Sequence, residues 1–334
     1  MKTSRFQNRV ITSPFALPAA ILLSVACWLC TAAFLPALQG GMEDCFLWDS
    51  FGGPQLPGWA ERLSALLLYA VIGYFLIGLN NTYALIRTRA SIQTGIYFLL
   101  VSICPALHVL SAGTVASLLF MPALFFLFRS YQHPYPAADV FLSSAFIGAG
   151  SLFLPQLTLL LPVFWIGAYN FRSLTPRSFP ASLLGWFLPY WFLLGHCYFY
   201  GDMETFYRPF RELAAFQPVD FGLQPDEAVT LGFLFVLFAV SAGHAVATGY
   251  EDKIRTRSYL NFLTLTNLCL FVLALLQPSL CTDLLPFLMV GTAVLAGHLF
   301  VLSNTRSSNV FFICIFIGLF LLLGWNVWML LLTH

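Results

Sequence analysis

Nine apolar runs, each near the length of a membrane-crossing helix, follow one another with only short polar segments between them. They lie near 15–38, 63–84, 92–110, 113–129, 179–200, 228–249, 260–277, 284–303 and 309–332. A helix needs about 20 apolar residues to cross roughly 30 Å of hydrocarbon. In that medium every backbone N–H and C=O must be satisfied inside the protein, so a spanning chain forms helices or a closed barrel. Runs this long belong to helices. Composition excludes the soluble alternative: Asp, Glu, Lys and Arg make up 9% of the 334 residues and 59% are hydrophobic, where a soluble domain carries about a quarter charged residues.

The stretch 140–171 leaves less room per crossing and is interrupted by Leu154-Pro155-Gln156. It reads either as two short tilted spans or as a re-entrant hairpin. The expectation is therefore an all-α polytopic transmembrane bundle of about eleven segments: nine full spans plus the broken pair at 140–171. It forms one membrane domain over residues 1–334. Pro105, Pro122, Pro162, Pro189 and Pro286 fall inside apolar runs, where neighbouring helices can satisfy the carbonyls a kink releases. The first run is too long for a signal-peptide core and reads as an uncleaved span.

The charges then set a direction. Lys2, Arg5, Arg9, Arg87, Arg89, Arg129, Arg172, Arg177, Lys253, Arg255, Arg257 and Arg306 all fall on one side of the alternating spans, leaving Arg62, Arg208 and Arg211 on the other. Lys and Arg concentrate in short cytoplasmic loops. That rule places the N-terminus in the cytoplasm and, with eleven segments, the C-terminus outside. The acids are distributed in reverse, with Glu43, Asp44, Asp49, Glu61, Asp202, Glu204, Glu212, Asp220, Asp226, Glu227 and Asp283 on the outer side. Two outer loops have some length, 39–59 and 201–227. The middle of the second, Phe206 to Phe216, reads as a short interfacial helix.

Chemistry of soluble enzymes has no motif here: phosphate-loop spacing, G-x-S-x-G and S-x-x-K are all missing. No Asp, Glu, Lys or Arg falls at the centre of a span, which argues against carboxylate-coupled transport. Asn80, Asn81, His108, His196, His244, Asn267, His298 and Asn326 lie within spans. They read as interhelical hydrogen-bonding groups rather than haem ligands or proton relays, since neither H-E-x-x-H nor paired His at one depth is evident. Gly-His recurs at 195–196, 243–244 and 297–298 without a strong internal repeat. The eight Cys form no zinc or disulfide framework, although Cys45, Cys197 and Cys281 share the outer side, where a disulfide among them is open.

The constellation that can carry chemistry is on the outer side. Glu43 and Asp44 follow the first span by a few residues, with Asp49 behind them; Asp202, Glu204, Arg208 and Arg211 sit in the second loop. Acids at a membrane surface serve as a general base or hold a divalent metal, and arginines clamp phosphate. Outer loops also carry acids simply because basic residues are excluded from them.

This placement resembles multi-span glycosyltransferases that use polyprenyl-phosphate sugars, which carry an acidic residue or pair in the first outer loop. The resemblance implies Glu43 or Asp44 as base or metal ligand, with a divalent metal as the cofactor. A second pattern covers about 75–200: Leu79-Asn80-Asn81, Leu85-Ile86-Arg87-Thr88-Arg89, Cys104-Pro105-Ala106-Leu107-His108, Asp139, Ala145 to Pro155, Phe171-Arg172 and Gly185-Trp186-Phe187-Leu188-Pro189-Tyr190. It is similar to an uncharacterised family of multi-span inner-membrane proteins from Bacteroidetes. That likeness implies a multi-pass protein of the Gram-negative inner membrane, with the periplasm outside, and no assigned activity. Three functions stay open: an enzyme of envelope glycan or lipid assembly acting on a lipid-linked substrate; a non-catalytic subunit or scaffold of an envelope complex; and a carrier or flippase. The expected partners are membrane lipids, a lipid-linked glycan or an envelope protein complex. Nothing points to nucleic acid.

Overall fold

The computed structural model describes residues 6–34, 47, 57–86, 91–214, 222–303 and 305–333, and every regular element among them is helical. In chain order these are α1 (Phe6–Thr12), α2 (Ala16–Phe34), α3 (Gly58–Tyr83), α4 (Ile92–Ser102), α5 (Ala112–Arg129), α6 (Ala137–Ser151), α7 (Leu161–Asn170), α8 (Ser178–Tyr200), α9 (Met203–Ala214), α10 (Pro225–Thr248), α11 (Ile254–Leu276), α12 (Cys281–Leu302) and α13 (Arg306–Thr333). Seven of them contain stretches long and apolar enough to cross a membrane: α2, α3, α5, α10, α11, α12 and α13. α8 has the length, 23 residues, but its Trp, Tyr, His and Pro residues lower its mean hydropathy.

Proline sets the breaks. At Cys104-Pro105, Leu154-Pro155 and Gln277-Pro278 the residue before proline is pushed out of the helical region, with φ/ψ of −113/97, −130/92 and −130/80. Each helix ends there, and the proline opens a 3-10 turn: Pro105–His108, Pro155–Leu160 and Pro278–Leu280. The run 92–110, expected as a full span, is therefore an 11-residue helix followed by such a turn. Pro122, Pro189 and Pro286 do lie inside helices. Pro162 instead occupies the first turn of α7, where its missing N–H costs nothing.

Hydrogen bonds between helix ends define two faces. On one, Arg62 Nη1 donates to the Thr31 carbonyl, Gly113 N–H to Asp283, Thr282 to Glu227, and Asn326 to the Ile103 carbonyl. This joins the ends of α2, α4 and α13 to the starts of α3, α5, α10 and α12. On the other, Gln7 Nε2 donates to the Phe300 and Ser303 carbonyls at 2.6 and 2.9 Å, Gln132 N–H to the Phe171 carbonyl, and Thr256 to the Ala84 carbonyl. Arg9, Arg129, Arg172, Arg177, Lys253, Arg255, Arg257 and Arg306 belong to elements that meet there. We call the two ends the acidic and the arginine face.

α12 is the centre, packed by α4, α5, α10 and α11; 94% of its most apolar stretch is buried, against 17% for α2. α6 and α8 form the tightest pair, because Gly148 and Gly185 let the two backbones meet. The segment 137–170 is a hairpin: both its ends lie at the arginine face, while its 3-10 turn touches α9. At the arginine face Arg255 stands over the rings of Tyr83, Tyr131 and Tyr259, 5.5–5.8 Å from each centroid, and donates to the Tyr259 hydroxyl at 2.7 Å.

Candidate functional site

The acidic face gathers the parts that the sequence singles out. Leu47, from the first loop, packs in one apolar cluster with Leu110, Ala112, Leu193 and Cys197, and Met203 and Phe206 close over the same cluster. Leu47 and the first turn of α9 therefore meet over the end of α8. Glu43, Asp44, Cys45 and Asp49 lie outside the described residues. Cys197 and Cys281 are both free thiols.

A helix, α9, spans Met203–Ala214 where a short one is expected over 206–216. Asp202 starts it by accepting from the Thr205 N–H and, at 2.6 Å, from the Thr205 hydroxyl, which satisfies an otherwise orphaned N–H. Those bonds hold the Asp202 carboxyl below the usual carboxylate range. Thr205 and Pro209 face inward, and Phe210 packs on Tyr190 at 5.2 Å. Arg208 and Arg211 face outward and are engaged: Arg208 Nε binds Glu212 at 3.0 Å and Arg211 Nη1 binds Glu204 at 3.2 Å. A phosphate at either arginine competes with a carboxylate already in place.

Two other described acids of this face sit at helix starts. Asp283 accepts from the Gly113 N–H at the start of α5, and Glu227 accepts from Thr282 at 2.7 Å, in the first turn of α10. Carboxylates are favoured at helix N-termini, where the macrodipole is positive. Among the described residues no three His, Cys, Asp or Glu are grouped closely enough to hold a metal ion.

α2 precedes the acidic loop and, among the described residues, packs mainly on α4 and the turn Pro105–His108, with Trp28 also against Tyr69 of α3 at 6.1 Å. Ser24 hydrogen-bonds Ser102, Thr31 Oγ1 lies 2.8 Å from His108 Nδ1, and Trp28 stacks on the His108 ring at 4.2 Å. Its flanks are open. One apolar groove of about 350 Å³ runs between α2 and α13, and another of about 340 Å³ between α2 and α3.

A second polar cluster, at the arginine face, differs from the sequence expectation. His298 Nε2 donates to Asp252 Oδ2 at 3.0 Å, both side chains being at most 1% exposed. The His244 ring lies 6.1 Å from that of His298. These are paired histidines at one depth on packed helices, which the spacing of α10 and α12 in the chain conceals. The recurring Ala-Gly-His at 242–244 and 296–298 was the available signal.

Compared with protein-family models, with curated proteins and with solved structures, the chain finds no match.

Proposed function

We propose that this chain is a multi-pass inner-membrane enzyme of envelope glycan or lipid assembly that acts at the periplasmic face on a lipid-linked substrate. In this reading the chain crosses about eleven times, the hairpin 137–170 contributing two short crossings. The arginine face is cytoplasmic and the acidic face periplasmic. The likeness over residues 75–200 to inner-membrane proteins of Bacteroidetes supports the compartment, and the likeness to polyprenyl-phosphate-sugar transferases supports the reaction class.

One observation carries the reading. The helix that precedes Glu43 and Asp44 in the chain is flanked on both sides by apolar grooves opening sideways, so a lipid tail beside α2 brings its headgroup to the end of α2 from which the chain runs on to those acids. Glu43 or Asp44 then acts as general base or metal ligand. Arg208 and Arg211 contribute to phosphate binding only by exchanging Glu212 and Glu204 for it. The test is complementation of a deletion strain. Glu43→Ala or Asp44→Ala should abolish function at normal expression, and full complementation by both single variants and the double would remove this mechanism.

A second reading, a non-catalytic subunit of an envelope complex, is favoured by the end of α8. Trp191, Phe192, Tyr198, Phe199 and Tyr200 are 61–82% exposed there, a surface suited to lipid or to a partner helix. It predicts tolerance of the Glu43 and Asp44 substitutions together with recovery of a crosslinked partner.

A further inference from the structure

We propose that Arg255, clamped by tyrosine rings at the arginine face, binds a phosphate group, carried by an anionic lipid of the adjoining leaflet or free in solution. This site is at the opposite end of the bundle from the acidic face and does not depend on the chemistry proposed there.

Arg255 is exposed, yet its position is fixed. Its Cζ stands 5.5–5.8 Å from the ring centroids of Tyr83, Tyr131 and Tyr259, and Nε donates to the Tyr259 hydroxyl at 2.7 Å. Aromatic rings hold a guanidinium through its face. The in-plane N–H donors of Nη1 and Nη2 stay at the edge, and they find no acceptor among the described residues. Capping of the neighbouring helix ends does not use them. The Tyr259 hydroxyl donates to the Phe128 carbonyl, Tyr83 to that of Phe125 and Thr256 to that of Ala84, so hydroxyls serve the ends of α3 and α5. Arg129, Arg208 and Arg211 each meet a carboxylate. Arg255 meets rings, which position it without neutralising it.

Charge selects an anion. Lys253, at the N-cap, and Arg257 crowd the first turn of α11 with Arg255, and that turn holds no acid. The helix dipole is positive at this end, so cations gathered there raise one another's energy. Of the two acids just ahead, Asp252 is committed to His298, and Glu251 lies towards His244. A bound anion offsets the crowding. The planar edge of Arg255 matches two oxygens of a phosphate, the anion that a lipid headgroup layer supplies at this depth.

The test uses the full chain in phosphatidylcholine nanodiscs containing phosphatidylglycerol, with retained lipid identified by native mass spectrometry. Inorganic phosphate is titrated separately onto the chain in detergent and followed by phosphorus NMR. Arg255→Met should lower binding about tenfold, close to the loss of one charge-assisted contact. Arg257→Met removes the same charge two residues away, outside the ring cage, and should change binding by less than about twofold. Tyr131→Leu takes one ring from the cage and should weaken binding about threefold, the worth of one exposed cation–π contact. Arg255→Lys keeps the cation without the planar fork and should bind between the wild type and Arg255→Met, so a misfolded Met variant cannot pass for a lost site. Binding of phosphatidylglycerol alone assigns the phosphate to lipid, and binding of inorganic phosphate alone assigns it to solution. Equal losses in Arg255→Met and Arg257→Met would leave a diffuse positive surface and overturn the site. So would a wild type that binds neither probe, binding that survives Arg255→Met, or a Tyr131→Leu variant indistinguishable from the wild type.

Discussion

A single methyl group at the α6–α8 contact tests the packing that organises half of the bundle. A Cβ placed on Gly148 would stand 2.3 Å from the Trp186 carbonyl oxygen, and one on Gly185 would stand 2.2 Å from that of Phe141. Ordinary contact begins at 3.4 Å, so each alanine requires the helices to part by about 1 Å. Both obstacles are backbone and cannot rotate away, which places Gly148→Ala and Gly185→Ala near the upper end of overpacking costs, about 2–3 kcal/mol each. In water alanine would recover about 1 kcal/mol of helix propensity. Much of that gain drops out here, because unassembled helices stay helical in a bilayer.

Gly195 is the internal reference, since it lies on the same helix α8 and a Cβ there meets nothing within 4 Å. Gly195→Ala should change stability by less than about 0.5 kcal/mol. Unfolding in mixed micelles, followed by the fluorescence of Trp186 and its neighbours, gives the ranking. The double variant should lose less than the sum of the singles, because one separation of the helices relieves both clashes. Stability of Gly148→Ala or Gly185→Ala matching that of Gly195→Ala would refute the close approach, and so would strict additivity.

Two further predictions address charged groups outside the apolar core. Arg129→Met removes the partner of Asp139, which is 2% exposed while Arg129 is 57% exposed; the loss should be about 3 kcal/mol, the low end for a broken buried pair, and Asp139→Leu added to it should recover most of this in the same unfolding assay. Asp202 has a depressed carboxyl pKa caused by its Thr205 bonds, so its hold on α9 is complete above the ordinary carboxylate range near 4 and is lost as pH falls through the lower folded value; a spin label at Tyr207 should gain mobility in that acidic window, and in an Asp202→Ala background mobility should already be high at neutral pH.

Seven apolar helices long enough to cross a membrane were legible in length and apolar content, and the break at Pro155 was legible because proline dictates the conformation of the residue before it. The same rule applied at Pro105 would have cut the run 92–110 to the short helix observed; hydropathy there obscured local geometry. Arg208 and Arg211 show what an outer location alone leaves out. Glu212 stands one turn from Arg208 on the same helix face and pairs with it. The His298–Asp252 pair was hidden for a different reason. Asp252 looks like a loop acid until the chain folds back and buries it beneath α12, and no local pattern encodes that burial.

The two extremes of the bundle suggest where a ligand could act on it. α12 is enclosed by four helices, so any displacement of it must repack α4, α5, α10 and α11 together, which a close-packed interior resists. α2 is held by Ser24, Trp28 and Thr31, with grooves on both flanks. Moving it breaks few contacts, and a tail in either groove replaces those that are missing. A ligand shifts a conformational equilibrium only by its differential affinity for the two states. A ligand that shifts this bundle at least cost therefore does so at α2, where the grooves lie.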